Sequence, residues 1–297
     1  MGLAVENALE LSGVCKKYRD FQLDNVSFSL PSGCIMGFIG ENGAGKTTTM
    51  KAILGLIHLD GGSVRILGQD IQTSGAASRE EVGAVFDDLP VRQTFSAKTM
   101  GSILRNVYAV WDSALYESCL RRFALPEKKQ IREYSRGMRM KLGMAMALAH
   151  HPRLLLLDEA TSGLDPVVRS EILDLLLEFI QEEDHSVLFS SHITSDLERA
   201  ADYITLIHQG RILFSEGKDS LLERHGLIKC THGQLAELAA EETLLGIREN
   251  AFGCEALTGD RQGLLRRHPE LTVDPATLED LMVFRQGRAH EMKESGD

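Results

Sequence analysis

Two stretches of the chain carry residue types at spacings suited to phosphate chemistry. The first is GENGAGKTT, Gly40 to Thr48, which sets Gly40, Gly45, Lys46 and Thr47 in a G-x-x-x-x-G-K-[ST] pattern. Glycines let backbone N–H groups turn inward as an anion nest, and a helix that starts there adds the positive end of its dipole. Glu41, Asn42, Gly43, Ala44 and Thr48 complete the loop. Lys46 would reach the β- and γ-phosphates of a nucleotide, and the Thr47 hydroxyl would ligate Mg²⁺. The second stretch, RLLLLDEAT, is an apolar run that ends in two adjacent carboxylates, Asp158 and Glu159. Asp158 would hold the metal through water, and Glu159 is placed to orient or deprotonate an attacking water. Without the glycine loop the two acids would pass for solvated residues at the start of a loop. His192 closes SVLFSSH; it is either a structural or exposed histidine or a hydrogen-bond donor to the γ-phosphate.

The elements around these residues can be sketched from periodicity. VSFSL alternates Val26, Phe28 and Leu30 inward, as a half-buried strand does. CIMGFIG is a nearly continuous apolar run, as in a buried parallel strand. After the glycine loop, Met50, Ile53, Leu54 and Ile57 mark one helix face. Helical spacing returns from Lys98 to Phe123, through Met100, Ile103, Leu104, Val107, Trp111 and Leu115, and again from Tyr134 to Ala149. RLLLL is a buried strand, Ile172 to Ile180 a helix, SVLFSSH a strand and YITLIHQGRILF a hairpin. Strands alternating with helices predict an α/β fold with a mainly parallel sheet, and in such sheets ligands bind at the carboxyl ends of the strands. Beyond Gly217 the pattern loosens into LIKCTHG, LLGIREN and LTV, expected as strands of a small module. Asp274 and Pro275 are expected to cap a last helix, ATLEDLMVF, before a polar tail.

Composition narrows the function. The chain has 297 residues, 43% hydrophobic and 25% charged, with a formal net charge of −11. That charge disfavours a nucleic-acid-binding role, which calls for basic patches. Five cysteines, at 15, 34, 119, 230 and 254, show no C-x-x-C spacing and are expected as scattered thiols of a reducing compartment. Glu6 and Glu10 stand where a signal peptide would be basic and then apolar. No apolar run approaches the roughly twenty residues of a membrane helix, so a membrane span would come from another chain.

The order glycine loop, YSRGM, LLLLDEATSGLD, SSH resembles the nucleotide-binding subunits of ABC transporters, over roughly residues 8–220. The ending VDPATLEDLMVF resembles single-domain bacterial ABC-2-type exporter ATPases. The resemblance implies a P-loop ATPase domain over 1–220, with a mainly parallel core, an antiparallel β subdomain and a helical subdomain at about 89–150. It leaves 221–297 as a small α+β accessory module and tail. It further implies ATP and Mg²⁺ as cofactors and Glu159, His192 and Lys46 as the catalytic set. Ser162 to Asp165 would be the D-loop. Tyr18 in KKYRDF would stack on adenine, although taken alone it is an ordinary strand tyrosine. Ser135 and Gly137 of YSRGM would face the γ-phosphate bound by a second ATPase chain packed head to tail. The partners implied are that second chain and a separate transmembrane permease. The implied location is the cytoplasm, peripheral on the inner face of the membrane. The competing expectation is a soluble ATPase of the same type that is not coupled to transport.

The chain departs from the family pattern at four positions. Tyr134, Arg136 and Met138 replace Leu, Gly and Gln of the LSGGQ signature. Arg136 could favour phosphate or pair with an acid. Asp87, in VGAVFDDLP, stands where the family has the Q-loop glutamine; it is expected to reach Mg²⁺ through water, with the coupling geometry to the membrane subunit altered. Trp111, the only tryptophan, is either core or a docking contact.

Overall fold

The computed structural model describes residues 6–75, 77–250 and 253–285. The chain divides into two units, 1–215 and 216–297, five residues before the boundary expected from sequence.

In the first unit β1 (Asn7–Lys17), β2 (Gln22–Pro31), β4 (Gly61–Ile66) and β5 (Gln69–Asp70) form an antiparallel sheet in the order β2-β1-β4-β5. Val26, Phe28 and Leu30 point inward from β2, as the alternation predicts. The second sheet contains β3 (Ile35–Ile39), β6 (Val82–Phe86), β7 (Leu154–Asp158), β8 (Ser186–Ser190), β9 (Tyr203–His208) and β10 (Arg211–Gly217). Its order is β10-β9-β3-β8-β7-β6, and β9, β3, β8, β7 and β6 run parallel. Every residue of β3, β7 and β8 is buried, which is why those segments read as unbroken apolar runs. Helix α1 (Lys46–Ile53) supplies Met50, Ala52 and Ile53 to a core shared with Leu9, Val26, Phe38 and Leu156 from both sheets.

Short α2 (Ala77–Glu80) precedes β6. The helical stretch expected over 98–123 is two helices, α3 (Ala97–Leu104) and α4 (Ser113–Arg122). The break has a local cause: the Asp112 carboxylate caps α4 by accepting from the Leu115 N–H at 2.8 Å, and the Asp112 N–H is tied to the Ala149 carbonyl at 2.7 Å. Val107 and Val110, between the helices, are exposed. Trp111 is half-buried in an aromatic group, its ring 5.3 Å from Tyr116 and 6.1 Å from Tyr108. Helix α5 (Arg136–Leu148) begins two residues later than its periodicity suggests, because Ser135 is its cap. Helices α6 (Pro166–Phe179) and α7 (Thr194–Ala200) complete the unit.

The second unit holds an antiparallel sheet in the order β12-β13-β11-β14, from β11 (Gly226–Cys230), β12 (Leu244–Asn250), β13 (Gly253–Thr258) and β14 (Thr272–Pro275). With it are α8 (Lys218–Arg224), α9 (His232–Glu241), α10 (Arg261–Arg267) and a last helix, α11, over 278–285. Ile228, Cys230, Leu238, Cys254 and Ala256 are part of its core. The strands expected in LIKCTHG, LLGIREN and LTV are found as β11, β12 and β14, the first ending at Cys230 because Thr231 starts α9 with a capping box to Gln234. One expectation fails here. Asp274 and Pro275 belong to β14 rather than capping the last helix. That role falls to Thr277, which accepts from the Asp280 N–H at 3.1 Å while its own N–H donates to the Asp280 carboxylate at 2.9 Å. Of the polar tail expected from Arg285 onward, Arg285 ends α11 and the rest lies outside the described residues.

Candidate active site

The glycine loop joins the end of β3 to α1, and two of its glycines are sterically required. Gly45 has φ +117°, and a β-carbon there would lie 2.8 Å from Leu23 and 2.9 Å from Phe21. A β-carbon on Gly40 would come within 2.4 Å of the Ile207 carbonyl oxygen. Lys46 is the first residue of α1 and is only 6% exposed. Its Nζ donates to the Gly40 carbonyl at 2.8 Å and the Glu41 carbonyl at 3.3 Å. No side chain caps α1 and no acid sits in its first turn, so the first N–H groups of the helix remain available to an anion.

Parallel register brings the carboxylates to the same edge. Asp158 of β7 stands level with Phe86 of β6 and Ser190 of β8, so Asp87, Glu159 and His192 all leave the sheet at one end. The Asp158 carboxylate accepts from Thr47 Oγ1 at 2.7 Å and from Ser190 Oγ at 2.8 Å. Glu159 has φ +54°, a left-handed conformation that costs about 1–2 kcal/mol in a residue with a β-carbon. Its N–H is held by Ser190 Oγ at 3.0 Å and the Ser190 carbonyl at 3.2 Å, which offsets that cost. Its carboxylate sits between two nitrogen groups, with Oε2 2.6 Å from His192 Nδ1 and Oε1 3.2 Å from Lys46 Nζ. The Lys46 contact lacks hydrogen-bond geometry and leaves Oε1 unsatisfied, so that attraction is Coulombic. A cleft of about 480 Å³ opens here, walled by Phe21, Asn42, Gly43, Lys46, Thr47 and Glu159.

The YSRGM turn begins α5. Ser135 is exposed and caps the helix, its Oγ accepting from the Met138 N–H at 3.2 Å. Gly137 is half-buried, with space for a β-carbon only 3.3 Å from Val168. Tyr134 explains its own departure from the signature. It is buried, and its hydroxyl donates to the Pro126 carbonyl at 2.8 Å, where a leucine could only pack. The other two charged departures meet each other: the Arg136 guanidinium is ion-paired with the Asp87 carboxylate and lies against Gly163.

The structure therefore gathers the Gly40–Thr48 loop, Asp158, Glu159 and His192. It does not place Tyr18 in the cleft wall. Tyr18 follows the end of β1, is 43% exposed, and has the Lys16 ammonium 5.7 Å from its ring centre, while Phe21 lines the cleft. Ser135 and Gly137 lie outside the wall, at the start of α5. Asp87, expected at the metal, turns to Arg136 because a guanidinium at that distance is a ready-made partner for a carboxylate. Ser190 was not foreseen from sequence. The sequence shows only a serine at the end of an apolar strand; its meeting with Asp158 comes from the register of β7 and β8.

Both members of the Asp87–Arg136 pair are substantially exposed, so its worth to folding is small, within about 0–1 kcal/mol. Its worth to turnover should be larger. Asp87→Arg and Arg136→Asp are each expected to lower ATPase activity, and the double reversal to recover part of the loss. Strictly additive losses across the four-chain cycle would show that the two residues act independently.

The ABC transporter family model matches residues 23–162. The chain is 35% identical over 294 residues to the uncharacterized ABC transporter ATP-binding protein YhcH of Bacillus subtilis (strain 168), covering 97% of this chain and 92% of that protein. It is 32% identical over 205 residues to the bacitracin transport ATP-binding protein BcrA of Bacillus licheniformis, 68% of this chain and 67% of the relative. A solved structure described as the ATP binding subunit of an ABC transporter superposes with a TM-score of 0.67 at 25% identity, over 79% of this chain and 98% of the other. The glycine loop, the carboxylates at the sheet edge and these likenesses agree, and the chain belongs to the ABC transporter ATP-binding proteins, as an ATP-hydrolysing subunit with an α/β P-loop fold.

Proposed function

We propose that this chain hydrolyses MgATP at a site completed by a second ATPase chain, and that the cycle drives export through a separate membrane permease. The observation that carries the catalytic part is the Glu159 carboxylate, held between Lys46 and His192 beside the Thr47–Asp158 pair. Glu159 takes a proton from water as the water oxygen bonds to the γ-phosphorus, and the bridging oxygen leaves with ADP. Lys46 offsets the negative charge on the β- and γ-phosphates. His192 holds the Glu159 carboxylate in place and presents its ring toward the γ-phosphate. The oxygen-only donors Thr47 and Asp158 suit Mg²⁺, which when bound neutralises phosphate charge. Tyr18 offers an exposed ring to adenine.

Ser135 and Gly137 do not line the cleft at the glycine loop, and Ser135 is exposed at the N-terminus of α5. That placement fits a γ-phosphate bound by another copy or by a different ATPase chain. Transport is supported by the named role of BcrA, and export by that of the Nod factor export ATP-binding protein I of Mesorhizobium japonicum, 30% identical over 313 residues. A docking surface is offered by Ile103, Val107 and Val110, exposed apolar residues at and after the end of α3. Among the described residues no helix is long and apolar enough to cross a membrane. In this reading the permease holds the chain at the cytoplasmic face.

The test is isolation of the tagged chain from detergent-solubilised membranes of its host, with its companions identified by mass spectrometry. A polytopic membrane protein in near-stoichiometric amount is expected. Recovery with cytosolic proteins alone would overturn the coupling to transport and leave an ATPase of the same type working in solution.

A further inference from the structure

The cysteines that look scattered in sequence are not all scattered in space. In the second unit Cys254 of β13 stands directly across from Cys230 on β11 and from Glu249 on β12. Direct cross-strand partners point to the same face of a sheet, so Glu249, Cys254 and Cys230 form a row. His232, the first residue of α9, reaches into it. Its Nδ1 is 3.0 Å from Glu249 Oε2 and 3.1 Å from Cys254 Sγ, and the three donor atoms lie within 4.8 Å of one another. The capping box at Thr231 fixes the backbone from which His232 projects.

We propose that His232, Glu249 and Cys254 form a binding site for a thiophilic divalent cation of the zinc class. Tetrahedral zinc bonds of about 2.0–2.3 Å put neighbouring ligand atoms roughly 3.3–3.6 Å apart, so the 3.0 and 3.1 Å separations at His232 need to open by only a few tenths of an ångström. The donor set of one nitrogen, one sulfur and one carboxylate oxygen suits zinc or cobalt and does not suit Mg²⁺ or Ca²⁺. Glu249 and the Cys254 thiolate together cancel the charge of the dication. His232 and Glu249 are exposed enough to admit a cation from solvent, while Cys254 anchors it at 3% exposure. Cys254 would bind as the thiolate, so binding releases the thiol proton. Cys230, a buried free cysteine, stands directly across the ladder from Cys254. The site is far from the chemistry in sequence and needs nothing from the nucleotide cleft.

Cobalt titration of the full, metal-stripped chain under reducing conditions, without nucleotide, tests this. One equivalent of Co²⁺ should produce a thiolate-to-metal charge-transfer band, and Zn²⁺ should abolish it by displacement. The nucleotide cleft offers only oxygen and nitrogen donors to a cation, so it cannot give that band. Cys254→Ser should lose it. His232→Gln and Glu249→Gln alter exposed side chains and leave folding intact; each should weaken Co²⁺ binding about tenfold or more. Absence of the band would overturn the proposal, as would its survival in Cys254→Ser or equal affinity in both exposed-residue variants.

Discussion

Glu159→Gln should bind MgATP and hydrolyse it about 10²–10⁴ times more slowly than the natural chain, the range that a positioned general base contributes. The substitution isolates one function. Glutamine keeps the size of the side chain and leaves the two N–H contacts to Ser190 in place. It tolerates the left-handed backbone at this position no worse than glutamate does. It cannot take the proton from water, and it removes a negative charge from a point 3.2 Å from Lys46 Nζ. ATP affinity should therefore hold or rise while turnover collapses. Single-turnover hydrolysis, measured beside equilibrium binding, separates the two. The same variant should accumulate as an ATP-dependent pair of chains by sedimentation, and adding Ser135→Arg should dissolve that pair without weakening ATP binding to one chain. Natural turnover in Glu159→Gln would remove Glu159 from the mechanism. Loss of both pairing and ATP binding in the Ser135 variant would remove the shared site.

What was legible in the sequence followed from how locally each feature is determined. The glycine loop is a contiguous motif whose backbone geometry only glycine permits at Gly40 and Gly45, so its chemistry could be read without a fold. β3, β7 and β8 are buried on both faces, and continuous apolar runs announce that. The meeting of Asp158 with Ser190 was hidden because it depends on the register between two strands 32 residues apart in sequence. The pairing of Asp87 with Arg136 was hidden because it depends on the fold setting the start of α5 beside the end of β6. Sequence alone presents them as two unrelated departures from the signature, and only the fold shows one charge answering the other. The break between α3 and α4 and the cap at Thr277 were missed because a single capping side chain can override a periodicity that runs past it. The second unit was least legible. Its antiparallel strands are short, and its helices α9 and α10 are a few turns each, where strand and helix patterns are hard to tell apart.

Lys46→Met should weaken MgATP binding by roughly 30- to 5,000-fold, the equivalent of the 2–5 kcal/mol that follows removal of one member of a desolvated charge pair. The environment explains the size of the effect. Lys46 is buried and serves three oxygens: the carbonyls of Gly40 and Glu41, and the carboxylate of Glu159. Methionine keeps most of the apolar stem, so the fold should survive and thermal stability should change little. Without the ammonium, an incoming γ-phosphate faces the Glu159 carboxylate with no cation between them. Two effects are then superposed, loss of attraction to Lys46 and exposure to repulsion from Glu159. The double variant Lys46→Met with Glu159→Gln separates them, because it removes both charges. It should bind ATP more tightly than Lys46→Met alone, though more weakly than Glu159→Gln alone. Equal affinity in the single and double variants would mean that Glu159 does not face the γ-phosphate. That result would displace Glu159 from the attacking water even if its own single variant were slow.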